Sequence, residues 1–133
     1  MEKIFLLFFL TLSLSSYAQT DDYQLSTHIL NISNGTPAPG VTVELYKYGE
    51  NNSEWEMISS KKTQELGRIN TFLRGSSHEG TYKLVFQTAE YFEQMGVESF
   101  YPFIPVIFEI TDDAHYHVPI TLLRYGYSTY RGS

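Results

Sequence analysis

Cysteine is absent from this chain of 133 residues. That excludes disulfide bridges, thiolate metal ligands and a lipidated cysteine near the N-terminus, so the fold must be held by its apolar core or by contacts between subunits. Basic side chains are scarce too: nine lysines and arginines stand against fifteen acids, a formal charge of −6. A chain of that sign repels phosphate backbones and anionic membranes, which argues against nucleic acid as a partner. No apolar run reaches the roughly 20 residues needed to span a bilayer. The one sizeable run, Ile4 to Leu14, follows Met1-Glu2-Lys3 and precedes Ser15-Ser16-Tyr17-Ala18. A charged start, a short apolar stretch and small residues at Ser16 and Ala18 read as a secretory signal peptide, with cleavage expected after Ala18. The expected organisation is therefore a leader at 1–18 and one mature domain at 19–133, periplasmic or secreted and free of the membrane once cleaved. Glu2 and Lys3 leave together, so the charge stays at −6.

What is present suits a single core: 42% of the residues are hydrophobic and 16% aromatic. Leu25, Thr27 and Ile29 alternate with Ser26, His28 and Leu30, the period of a strand with one buried face. Asn31 to Gly40, with Asn34-Gly35 and two prolines, reads as a loop. Val41, Val43 and Leu45 open a second strand that runs to about Tyr48, and Trp55, Met57 and Ser59 a third that fades by Lys62. Ile69 to Leu73 and Tyr82, Leu84 and Phe86 make the fourth and fifth. The period then changes over Thr88 to Met95, where a short helix is expected with Thr88 as N-cap and Gly96 as its stop. Val106 to Ile110 and His115 to Leu123 follow as strands, and Arg124-Tyr125-Gly126 reverses the chain into Tyr127 to Tyr130. Seven or eight short strands and one helix predict an antiparallel β-sandwich.

Of the four histidines, His78 falls in a polar Ser-Ser-His-Glu-Gly loop. His115 and His117 are two apart in a strand and share a face. With His28 they could clamp a metal as a three-histidine site; alternatively only one of the pair points to a pocket centre while the other lines its edge. The residues alone leave both open.

The tail Leu122-Leu123-Arg124-Tyr125-Gly126-Tyr127-Ser128-Thr129-Tyr130-Arg131-Gly132-Ser133 is dense where most chain ends fray. Its Tyr-Gly-Tyr-Ser-Thr-Tyr-Arg-Gly-Ser resembles the C-terminal signature of the 5-hydroxyisourate hydrolases, transthyretin-like enzymes of urate breakdown. Leu25-Ser26-Thr27-His28-Ile29-Leu30-Asn31 and His115-Tyr116-His117-Val118-Pro119 are similar to that family's other motifs. The resemblance implies two four-stranded sheets with a short helix after the fifth strand, and a homotetramer of edge-paired dimers with sites at the subunit interface. It also implies a small-molecule substrate, 5-hydroxyisourate, with no cofactor and no assigned metal. By position it places His28, Arg68, His117 and Ser133 in the catalytic group, with His28, Arg68 and Tyr130 holding substrate.

Those residue types suit the opening of a cyclic, electron-poor amide. A neutral imidazole can take a proton from attacking water, and arginine can hold a planar ring while offsetting charge on its carbonyl oxygen. Ser133, without a triad around it, is expected to bind rather than attack. In one departure, Leu66 stands where the family commonly has an acid before Gly-Arg, which is expected to change that turn's hydrogen bonding. Two other functions fit a sandwich. A non-enzymatic carrier of small aromatic ligands would lack the Tyr-Arg-Gly-Ser tail and the paired histidines. A carbohydrate-binding or adhesion domain would use Trp55 and leave the histidines unexplained.

Overall fold

The computed structural model describes residues 22–133; the expected leader at 1–18 lies outside them. Its strands are β1 (Tyr23–Asn31), β2 (Thr36–Pro37), β3 (Thr42–Tyr48), β4 (Trp55–Lys62), β5 (Arg68–Arg74), β6 (Gly80–Phe86), β7 (Ile104–Ile110), β8 (Tyr116–His117), β9 (Ile120–Leu123) and β10 (Gly126–Thr129), with one helix, α1 (Thr88–Gln94), after β6. They form the expected sandwich of two sheets. The split is six strands and four rather than four and four, because β2 and β8 are two-residue additions to the larger sheet.

The smaller sheet runs β4-β3-β6-β7, antiparallel throughout. Val43 faces Phe86 and Leu45 faces Leu84 across the β3/β6 ladder, and all four are fully buried. Each such burial contributes about 1.5–3 kcal/mol. Tyr82, equally buried, donates its hydroxyl to the His78 carbonyl at 2.8 Å, so its one polar atom costs little to enclose. Pro105 sits inside β7, opposite Val85. β7 is the outer strand, the place in a sheet where a residue without an N–H is tolerated.

In the larger sheet β1 is central. It pairs antiparallel with β2 and β5 on one side and parallel with β8 and β9 on the other. The expected single strand His115 to Leu123 is thus two pieces, interrupted at Val118-Pro119. Leu25, Thr27 and Ile29 are fully buried between the sheets, so Ser26 and His28 must project from the outer face.

Helix α1 is stopped just beyond its Met95 cap by Gly96, whose φ of +68° a glycine adopts without strain. The expected N-cap is displaced by one: Gln87 occupies that position without a side-chain cap bond, and Thr88 is the first helical residue, buried. Thr88 is drawn into the core, which removes its hydroxyl from the capping role. Tyr91 and Phe92 bury the helix against the sandwich, and Asn31 Nδ2 donates to the Tyr91 hydroxyl at 3.1 Å.

Candidate active site

His28 and Arg68 are direct cross-strand partners of the β1/β5 ladder, so their side chains stand side by side on the outer face. A bulge makes this pairing possible: Leu25 pairs with Phe72 and Thr27 with Ile69, two steps on β1 against three on β5. Gly67, immediately before Arg68, has φ +70°, and a Cβ there would lie 2.6 Å from the Ile29 carbonyl oxygen. Only glycine lets the chain come this close while Ile29 N donates to Gly67 O at 2.9 Å. The turn closes through its own backbone, Gly67 N to Gln64 O at 2.8 Å and Gln64 N to Arg68 O at 3.0 Å. Leu66 needs no acidic side chain here: its side chain is 68% exposed, and it is the Leu66 backbone that hydrogen-bonds with the His28 ring.

His117 reaches the same face from the other flank. The parallel β1/β8 register sets Ser26 opposite His117, and the Ser26 hydroxyl lies 2.7 Å from His117 Nδ1. Thr27 Oγ1 donates to Val118 O at 2.7 Å and Val118 N to Ser26 O at 3.0 Å, which fixes β8. Three segments far apart in sequence thus deliver His28, Arg68 and His117 to one surface.

The C-terminus is docked on this surface. Gly132 N donates to His117 O at 2.8 Å, and a Cβ at Gly132 would fall 2.5 Å from His117 Cδ2. The Arg131 guanidinium lies 4.2 Å from the centre of the Tyr116 ring, and the Tyr116 hydroxyl donates to Asp112 Oδ1 at 2.9 Å. Ser133 follows, exposed beside the docked glycine. Tyr130 points elsewhere: 57% exposed, it lines an apolar groove of about 260 Å³ with Ile107, Phe108, Tyr116, Val118 and Arg131. The histidines and Arg68 do not line that groove.

Electrostatics follow from this convergence. Burial holds the His28 imidazole below its ordinary pKa, the Arg68 charge pushes it the same way, and the hydrogen bond with the Leu66 backbone partly opposes both. His117 is lowered first by burial, then by Arg68, His28 and His115, against a hydrogen bond with the Ser26 backbone. Both rings are therefore neutral near pH 7, each able to accept a proton beside a fixed positive charge.

The remaining histidines do other things. The His78 Nε2 lies 2.7 Å from the Arg74 carbonyl, which ties down its loop. Both ring nitrogens of His115 are engaged, Nε2 with Ser26 Oγ at 2.8 Å and Nδ1 with Tyr23 O at 2.9 Å. No three-histidine clamp forms among the described residues. Trp55 is packed against Tyr48, ring centres 5.0 Å apart, and capped by Lys83 Nζ at 4.5 Å, so its face is already covered. Sequence reasoning passed over Ser26; the signal was its place two residues before His28 on a strand whose other face is apolar.

A family model described as the HIUase/Transthyretin family matches residues 25–132. The chain is 42% identical over 137 residues to a probable 5-hydroxyisourate hydrolase of Caenorhabditis elegans, with all of both chains covered. It is 43% identical over 111 residues to the 5-hydroxyisourate hydrolase of Salmonella dublin, covering 82% of this chain and 80% of that one. Among solved structures, 5-hydroxyisourate hydrolase of Klebsiella pneumoniae superposes with a TM-score of 0.72 at 40% identity, over 86% of this chain and all of that one.

Proposed function

The chain belongs to the HIUase/transthyretin family, and from that membership we propose that it hydrolyses 5-hydroxyisourate in urate breakdown, giving 2-oxo-4-hydroxy-4-carboxy-5-ureidoimidazoline. Water attacks the ring amide carbonyl, a neutral imidazole of the His28 and His117 pair takes the proton, and the ring C–N bond breaks with the nitrogen leaving protonated. Arg68 holds the planar substrate by its forked donors and offsets the charge that grows on the carbonyl oxygen. Ser133, through its hydroxyl, helps seat the substrate and the water.

The observation that carries this reading is the meeting of His28, Arg68 and His117 on one outer face, with Gly132 packed on the His117 ring. A face open on one side suits completion by a second copy, so the working form is a homotetramer with sites at subunit interfaces, and Tyr130 reaches substrate from across such an interface. The protein acts after export, in a periplasm or outside the cell.

The decay of freshly generated 5-hydroxyisourate, followed by its absorbance, tests the reaction. Purified protein accelerates it above the spontaneous rate, and a rate equal to the blank overturns the reading. Light scattering after size exclusion tests the tetramer.

A further inference from the structure

The outer face of β1 holds a chain of polar atoms that leads to the His117 ring. Tyr23 O, His115 Nδ1 and Nε2, Ser26 Oγ and His117 Nδ1 follow one another at 2.9, 2.8 and 2.7 Å. Ser26 stands at its middle, 5% exposed, while His115 lies at the surface.

With His115 neutral, the direction of every proton in this chain follows from its first member. A carbonyl oxygen only accepts, so His115 Nδ1 must carry the proton given to Tyr23 O. In the neutral ring, His115 Nε2 is then a lone pair, and the one group able to donate to it is the Ser26 hydroxyl. That spends the single proton of Ser26, so Ser26 Oγ must accept from His117. His117 therefore carries its proton on Nδ1, and its lone pair is on Nε2.

We propose that Ser26 and His115 are positioning residues that hold His117 in its Nδ1–H tautomer, making Nε2 of His117 the base that deprotonates the attacking water. This rests on the hydrolase reading for its chemistry, but the tautomer itself does not. The step is balanced: Nε2 gains the water proton while the imidazolium keeps donating Nδ1–H to Ser26, the hydroxide forms the new C–O bond as the carbonyl π pair moves onto its oxygen, and Nε2 returns its proton to the ring nitrogen as that pair re-forms the carbonyl and the C–N bond breaks. An imidazole held the wrong way round forfeits most of its catalytic value, up to about four orders of magnitude in the best-studied case.

The test uses the full-length protein with ¹⁵N-labelled histidine, without substrate, at about pH 8.5, where unperturbed imidazoles are neutral. The titratable or charged groups that bear on His117 are Arg68 on β5, His28 on β1 and His115 beside β8. The His117 ring, assigned by its loss in His117→Gln, is expected to show a protonated Nδ1 and a bare Nε2. Ser26→Ala, and His115→Ala as a surface variant that leaves the buried serine in place, are each expected to move it toward Nε2–H. Both are expected to lower kcat about ten- to a hundredfold with KM within about twofold. A wild-type ring protonated on Nε2, a tautomer unmoved in both variants, or a kcat unchanged where the tautomer has moved overturns the proposal. Failure of the hydrolase reading shows differently, as a missing reaction in a protein whose His117 still carries Nδ1–H.

Discussion

Gly132 lies against the His117 imidazole so closely that a single methyl group at that position would meet the ring at 2.5 Å. Gly132 is thus a wall of the reactive face. Gly132→Ala is expected to displace either the ring or the tail, cutting turnover at least about tenfold, since a misplacement of about 1 Å can cost a hundredfold. Its thermal midpoint should stay near wild type because Gly132 is no part of the hydrophobic core. Full activity in Gly132→Ala would mean that the docking of the tail has no part in the chemistry.

His28→Ala, Arg68→Ala and His117→Ala should each reduce kcat/KM for 5-hydroxyisourate by about a hundredfold or more. None of the three belongs to the hydrophobic core, so circular dichroism should match wild type. A variant that turns over normally removes that residue from the mechanism.

The pH dependence follows from the two lowered histidines. A base works only when neutral, and burial and Arg68 hold both rings below 6.5. Activity should persist below pH 6.5 and fall only as the lowered pKa values are crossed. Stability shares the window. The unfolded chain binds protons at these rings before the folded one does, so their contribution is fully present above 6.5 and is lost as pH falls from 6.5 to the lowered folded values. In Arg68→Ala the acid limb of the rate profile should move to higher pH, because the second cause of both shifts is gone. An acid limb that stays in place would remove Arg68 as that cause.

Gly67→Ala tests the turn that aims Arg68. Its φ of +70° and the Ile29 carbonyl 2.6 Å from a Cβ make alanine strained on two counts. The left-handed conformation alone costs about 1–2 kcal/mol. Urea unfolding should show at least that loss, with activity falling further than stability because Arg68 shifts with the turn. Unchanged unfolding would contradict the close approach.

Chelators such as EDTA should leave the rate unchanged, since both His115 nitrogens are already held by Ser26 and Tyr23. A rate abolished by chelation and restored by a divalent cation would require a metal in the mechanism.

Much of the framework was legible in the residues because it depends on local period. Leu25, Thr27 and Ile29, or Tyr82, Leu84 and Phe86, announce a buried face by alternation alone, and all six are fully buried. Where a residue's role depends on a distant partner, periodicity says little. Ser26 gains its importance only because β8, about ninety positions later, lies parallel to β1. Thr88 looked like a cap by its type, but the core competed for it and won. His28, Arg68 and His117 came from resemblance to known motifs, and their convergence became physical only with the β1/β5 and β1/β8 registers. Tyr130, chosen on the same grounds, faces the groove by β7 within one chain, which neither its motif nor its neighbours revealed.

The parallel pairing of β1 with β8 and β9 also has a temporal meaning. Antiparallel neighbours such as β3 and β4 can zip together as soon as both have been made, but β1 must wait for β8 and β9 before its far flank is filled. A chain interrupted ahead of β8 would hold the strands of the smaller sheet and expose an unfinished edge on β1. His117 joins the reactive face about ninety positions after Ser26, so that face forms only once β8 has been made.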